Sequence, residues 1–465
     1  MITSSSMELT TSESTCILSL LLLCLIGELS PTAGPVGGAA AHSDTGVSHE
    51  AEKLNHSGVE HFRKKEYEQA IRLFREALQV QPEFPEALDN LGKALGVTGK
   101  DDEALRDFDK ALKLAPENAA VHCDRGLALL HEKKFEESVT AYRKAIEIHQ
   151  DFPEAYNGLG AALLALSKTD EAISAFRKAI QLNPKNADAL NNVGSALMTQ
   201  NKAGEAATYF RKAHNLQPNM PDLLENYAYA LNEAGQTNEA IAAYHKLASK
   251  HPNEPSPWAQ MGHLYYTAKR YHQAVEAFQK SLTLEHNQPD VALFLGLAQI
   301  EEGKTAEAIR SFEQCLALRP DDFHALYSLG NAYYSQKDFA KATDNYQKAL
   351  AQKPDSPDAL GGLAASQLAT NKSEEAIATY QKLVVLKPDD PNVRFNLGTA
   401  LFNKGMYKDA AASYREAVRL RPDLAHAHYN LGMALLRLND TITAQAEFSE
   451  AHRLDPSLNP PANQR

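Results

Sequence analysis

The sequence predicts an all-α fold: a solenoid of twelve 34-residue helix–turn–helix repeats over residues 51–458. Three observations predict it. The phrase LDNLGKAL…DEALRDFDKALKLAPEN (88–118) recurs as YNGLGAAL…DEAISAFRKAIQLNPKN (156–186) and as LYSLGNAY…KATDNYQKALAQKPDS (326–356). Steps of 34 residues from residue 51 run twelve times without insertion or deletion. Within a repeat the apolar positions follow the helical period: Leu88, Leu91, Gly92 and Leu95, then Ala104, Phe108 and Ala111. A fixed period of this length marks stacked repeats, because one hairpin cannot bury its own apolar face.

Each position of the repeat has a physical reason. Position 8 is small: Gly58, Gly92, Gly126, Gly160, Gly194, Ala228, Gly262, Gly296, Gly330, Ala364, Gly398 and Gly432. Position 20 is alanine except at Ser138, and position 24 is Phe or Tyr in every repeat. Small residues let two helices approach, and the ring fills the space beside them; burying one such ring contributes about 1.5–3 kcal/mol. Proline at position 32 ends the second helix, since it lacks an amide donor and clashes with the preceding turn. It is missing at Gln150 and His286.

This pattern resembles the tetratricopeptide repeat. The resemblance implies a right-handed superhelix whose first helices line a concave groove through positions 2, 5, 6, 9, 12 and 13. Position 6 carries Asn90, Asn192, Asn226, Asn396 and Asn430. These resemble the asparagine ladder in the superhelix of O-linked N-acetylglucosamine transferase, where amides grip an extended peptide. An amide both donates and accepts, so it can pair with a peptide group whatever the side chain. Five of twelve repeats carry it, and hydrogen bonding among neighbouring side chains is the alternative reading. Aromatics join the same wall: Tyr327, Phe395 and Tyr429 at position 5, and Tyr266, Tyr334 and Phe402 at position 12. Exposed rings in a groove favour peptide contact, although some are expected to pack on neighbouring helices. Glu52, Glu86, Asp89, Glu154, Asp188, Asp222 and Glu225 at positions 2 and 5 suit a basic or polar ligand, or form a solvated face. The carboxylate clamp of chaperone-docking relatives is absent: no repeat has Lys at position 5 or Arg at position 6.

The array has ends and a soft middle. Gln445 and His452 stand in the last repeat where apolar stacking residues are usual, so the array is expected to stop there. Ser57 and His61 make the first repeat more polar as well. Ala207, His214, Leu247 and Lys250, followed by Pro252, Pro255 and Pro257, suggest a bend or a break in cooperativity over 205–258. Residues 1–27 form a hydrophobic leader around ILSLLLLCLIG (17–27), and 28–50 a Gly-, Ala-, Pro- and Ser-rich flexible linker. The tail 459–465 is expected to be disordered. The apolar run is too short to span a bilayer but suits a signal peptide, with cleavage after Ala33 or Ala41. Residues 1–16 hold Glu8 and Glu13 and no basic residue, a departure from the basic start of a signal peptide; an uncleaved anchor or a misassigned start codon is the alternative reading. The protein is therefore expected to be exported to the periplasm or the exterior; membrane anchoring by this segment or a cytoplasmic location are the alternatives.

Composition excludes several functions. The net charge of −12 repels phosphate backbones, so no nucleic-acid partner is expected. Cys16, Cys24, Cys123 and Cys315 have no zinc-site spacing. No phosphate loop, GxSxG or HExxH occurs. His426 and His428 are two residues apart, a poor metal pair on a helix. With the array spanning 51–458, no length remains for a sugar-nucleotide domain. The expected protein is a non-enzymatic scaffold without cofactor, metal or small-molecule substrate, binding an extended peptide segment of another protein. The alternative is an adaptor subunit that recognises substrates for a separate enzyme, such as a glycosyltransferase or envelope-assembly machinery.

Overall fold

The computed structural model describes residues 47–461. The expected leader, the linker as far as residue 46 and residues 462–465 lie outside the described residues. From His49 to Leu454 the chain forms twenty-four α-helices, and no strand occurs among the described residues. Every repeat contributes two, helix A and helix B, as in Pro85–Val97 and Asp101–Leu114. The first helix begins at His49, inside the stretch expected to be linker. Among the described residues no helix is long and apolar enough to cross a membrane. The helices group into two compact bodies, one ending at Leu247 and one beginning at Ala248. That division falls inside the stretch 205–258.

Both bodies are built on one contact. The position-24 ring is 0–3% exposed in all twelve repeats and lies against position 8 of its own helix A. A Cβ added to Gly262 would fall 2.4 Å from the Phe278 ring, and one added to Gly92 would fall 2.5 Å from Phe108. Position 20 is fully buried beside them, and the exception keeps its polarity satisfied: Ser138 donates its hydroxyl to the Gly126 carbonyl at 2.7 Å. Cys315 occupies the small position 27 and is free and fully buried, like any core alanine there. His428 is a buried wall residue, held by Glu447 at 2.6 Å and by the Pro422 carbonyl at 3.0 Å.

The helix ends are set with the same regularity. Pro85, Pro153, Pro221, Pro289, Pro357 and Pro391 open helix A, where a fixed φ favours the helix and a missing donor costs nothing. The preceding position caps it in several repeats: Asn118, Asn186, Asp322, Ser356 and Asp390 each accept a first-turn N–H. Helix B ends at position 30 even without proline, at Ile148 and Leu284. In the second of these the His286 ring bonds the Leu282 carbonyl.

The A-to-B reversal is a main-chain device. Position 15 has positive φ in every repeat, from 57° at Asn201 to 82° at Gly405. Its N–H and the next one turn back to carbonyls of the last helical turn: Gly99 to Gly96 and Lys100 to Leu95, both at 2.9 Å. All twelve reversals repeat this pair, which is a Schellman closure. Only Gly99, Gly235, Gly303 and Gly405 are glycines; Lys65, Lys133, Lys269 and Lys337 are among those forced into the left-handed region.

That region costs a non-glycine residue about 1–2 kcal/mol. Lys133→Gly and Lys337→Gly are each expected to raise stability by about 1 kcal/mol, read as higher urea midpoints, whereas Gly303→Val should lower the midpoint. A pH effect is expected in the second body. The His263 ring lies edge-on between Phe278 (5.0 Å) and Phe294 (4.5 Å). Burial drives its pKa from 6.5 to about 4, against the opposing pull of the Asp290 carboxylate. Below about pH 6.5 the unfolded chain takes up a proton that the folded one refuses, so stability falls as pH drops toward 4. The loss is at most about 3 kcal/mol. Urea unfolding at both ends of that window should show it, and His263→Phe should remove it.

Candidate peptide-binding wall

Helices A of successive repeats approach one another more closely than helices B, so helix A forms the inner wall of each body. The wall asparagines divide into three groups. Asn90 donates to Asn55 Oδ1 at 3.1 Å, Asn192 to Asn157 at 3.0 Å, and Asn226 to Asn191 at 3.0 Å. In each pair position 6 of one repeat reaches position 5 of the repeat before. Asn192 is 4% exposed and Asn157 2%, so this rung is closed and stitches two repeats together rather than facing solvent. Asn90 and Asn226 are half-buried and keep a carbonyl oxygen and one N–H.

Asn396 and Asn430, in the second body, have Gly361 and Phe395 where the acceptor asparagine would be. Asn430 turns to the Tyr414 hydroxyl, which also bonds Thr399 at 3.2 Å. Asn396 is half-buried, and no side-chain hydrogen bond holds it. Two positions where the series lacks asparagine are glycines lying close to a tyrosine. A Cβ at Gly158 would fall 2.6 Å from the Tyr142 hydroxyl oxygen and 2.2 Å from its ring; one at Gly362 would fall 2.5 Å from the Tyr346 ring. Both glycines make room for the tyrosine of the preceding repeat.

The aromatics are anchored, not free. At position 5, Tyr327, Phe395 and Tyr429 pack on the position-24 rings Tyr346, Tyr414 and Phe448, with centroids at 6.1, 5.7 and 5.4 Å. At position 12, Tyr266, Tyr334 and Phe402 meet Tyr271, Phe339 and Tyr407 at 5.7, 5.2 and 5.3 Å, edge to face. Five of these six wall rings are half-buried, and Tyr334 is 38% exposed. Phe62 and Tyr67 repeat the second pairing in the first repeat, at 5.4 Å. Sequence reasoning passed over it, although aromatics five residues apart across the turn would have found it.

The acidic side of the first body is more structured than a solvated face. Asp89 and Asp124 share Lys93, whose Nζ lies 2.8 Å from one carboxylate and 3.1 Å from the other. Burial raises the Asp89 carboxyl, against the pull of Lys93. Burial by itself would lower Lys93, but the Asp124 and Asp89 carboxylates outweigh it and hold the ammonium above its usual range. Lys93 and Asp124 were missed in the sequence because their partnership crosses from one repeat to the next. Glu52, Glu86, Glu154 and Asp222 are exposed, and Asp188 and Glu225 half-buried. Among the described residues no three His, Cys, Asp or Glu side chains converge to hold a metal. The wall offers fixed amides, carboxylates and ring edges.

Family comparisons agree on the repeat. Models described as tetratricopeptide repeat match residues 85–118, 153–186, 197–264, 334–397 and 425–458, and one described as TPR repeat matches 58–96, 130–167 and 398–439. The TPR domain of cytochrome c-type biogenesis protein H matches 246–352. No match was found among curated proteins. Among solved structures, the APC/C hetero-tetramer Cut9–Hcn1 is 15% identical, covering 88% of this chain and 94% of that one, with a TM-score of 0.37. YrrB, described as a TPR protein with an unusual peptide-binding site, is 23% identical over 39% of this chain and 94% of its own, at 0.37. MamA from Desulfovibrio magneticus RS-1 is 24% identical over 37% and 97%, at 0.34. Twelve helix pairs in register, with these models falling from residue 58 to residue 458, place the chain in the tetratricopeptide-repeat family.

Proposed function

We propose that the chain is a non-enzymatic scaffold whose helix-A wall binds an extended segment of another protein. The observation that carries this reading is the half-exposed Asn396 amide, free of side-chain partners on a wall of rings already fixed by their neighbours. A ring held in place loses little rotamer freedom when a ligand lands on it, and a fixed amide pairs with peptide groups of any sequence. Tyr334 is the most exposed of the wall rings.

A second reading makes the chain the recognition subunit of a separate enzyme or envelope-assembly machine. The match of 246–352 to the TPR domain of cytochrome c-type biogenesis protein H favours it, as does the apolar run 17–27, which suits export or anchoring.

Affinity capture with the full chain and with a variant carrying Asn396→Ala, Asn430→Ala and Tyr334→Ala tests the scaffold reading. The variant should lose about tenfold in affinity for its captured segment, with its helical circular dichroism unchanged. Equal capture of the same segments by both proteins would rule out this wall as the site. Export is tested separately: the mature protein's N-terminal sequence should begin after Ala33 or Ala41, and a start at Met1 would exclude cleavage.

A further inference from the structure

The outer wall of repeats ten to twelve departs from the rest of the array. Helices B form this wall, and positions 18, 22, 25 and 29 follow one face of each at i, i+4, i+7 and i+11. On that face Val385 is 80% exposed and Ile442 86%, whereas every other exposed large apolar side chain among the described residues stands at 43% or less. Both occupy places that carry charge elsewhere. Position 18 is Glu68, Asp102, Glu136 and Asp170 in the first four repeats, and position 29 is Arg419 and Arg453 in the last two. A lone exposed aliphatic is ordinary; here two of them bracket one helix.

The helix between them, Tyr407–Leu420, is basic. Its repeat holds six Lys or Arg against three Asp or Glu, the largest basic excess of any repeat in a chain of net charge −12. Lys408 and Arg415 are exposed on the same face, and no ion pair holds either among the described residues. Nearby acids are committed: Glu416 takes Arg419 at 2.7 Å, and Glu374 takes Lys404. Asp409 lies about 100° round the helix from Lys408. Ala412 sits between the two free cations, with Ala378 and Ala446 at the same position of the neighbouring helices B, where Arg72, Arg106 and Arg310 stand in other repeats. Side chains this short leave room for another helix to approach.

Val385 and Ile442 differ by about 16 Å along the helix direction and stand two helices B apart, about 20 Å. The line joining them is therefore roughly 25 Å long and crosses the middle helix between Ala412 and Arg415. An α-helix covers that length in about eighteen residues. We infer that this outer wall docks an amphipathic α-helix of a partner protein, apolar near both ends and acidic between them. The charges decide the class of occupant. A bilayer of anionic lipid offers the same sign, but it meets the whole chain's charge of −12, whereas a single helix feels only the charges within about 8–10 Å. This surface is separate from the inner wall and does not rest on the peptide-binding reading of it.

Fluorescence anisotropy with the full chain tests it, using a labelled helical peptide of about eighteen residues with Leu near each end and a pair of Glu midway. Two further peptides replace the Glu pair by Lys or the Leu pair by Ser. Val385→Ser with Ile442→Ser removes the anchors, and Lys408→Glu with Arg415→Glu reverses the charge. The control, Arg177→Glu with Arg211→Glu, makes the same charge change at exposed positions of helix B in the first body. Circular dichroism and urea midpoints confirm that all variants fold. The acidic peptide should bind about tenfold more tightly than either other peptide, and each outer-wall variant should lose about tenfold for it. The control should lose less than about twofold. The charge-reversed variant should turn its preference to the Lys peptide, which a merely structural role of Lys408 and Arg415 would not produce. Equal binding of the three peptides, no binding of the acidic one, or a control as damaging as the outer-wall variants would overturn the inference. So would a chain that ignores the acidic peptide but sediments with vesicles of phosphatidylcholine and phosphatidylserine, the outcome that makes the occupant a bilayer. The inner-wall variant Asn396→Ala, Asn430→Ala, Tyr334→Ala should bind the acidic peptide unchanged; a loss there would move the peptide to the inner wall and overturn the outer site alone.

Discussion

Every repeat hangs on the ring at position 24 packing against a small residue at position 8. Ten of the twelve repeats answer with glycine and two with Ala228 and Ala364. The contact sets how closely helix A meets helix B, and that closeness puts position 20 out of reach of water. Interiors are packed to the density of organic crystals, so a contact this tight transmits its geometry to whatever rests on it. The wall rings at position 5 rest directly on it. Tyr327, Phe395 and Tyr429 take their orientation from Tyr346, Tyr414 and Phe448. The proposed recognition surface is thus an outward extension of the core.

Charge and polarity are distributed unevenly over this common frame. The first body joins repeats through amide pairs and a shared lysine, whereas the second presents more rings and one unpaired amide. A polar stitch such as Asn192–Asn157 has little exposure and gives register between neighbours. A ring edge such as Tyr334 keeps surface available to a partner. The two bodies therefore present different chemistry on the same scaffold.

Much of this was legible in the sequence, and the limits have physical causes. Positions 8, 20 and 24 announce themselves because the small residue and the ring recur in the same helical face of every repeat. Position 15 does not, because its left-handed conformation is imposed by the closing main-chain hydrogen bonds and Lys, Ser and Asn occupy it as well as Gly. The asparagines were read singly, so Asn192 looked like a ligand contact; its burial against Asn157 is visible only once position 6 is known to face position 5 of the preceding repeat. Gly158 and Gly362, two positions of the series without asparagine, each lie close to a tyrosine 16 residues earlier, a contact between repeats that no local spacing signals. Asp124 and Lys93 escaped for the same reason: pairings between repeats carry no short-range spacing signal.

The reversal at position 15 makes the chain quantised in length. Its closure spends only main-chain groups and absorbs no slack, so one inserted residue would turn the following helix by about 100° and swing its ring out of the seat at position 8. A whole period changes nothing, because the next proline or capping side chain finds the same orphan amides waiting. Diversification can then proceed by copying or excising entire 34-residue blocks and by editing the inner positions of helix A, while the joints between blocks need no new side chain at all.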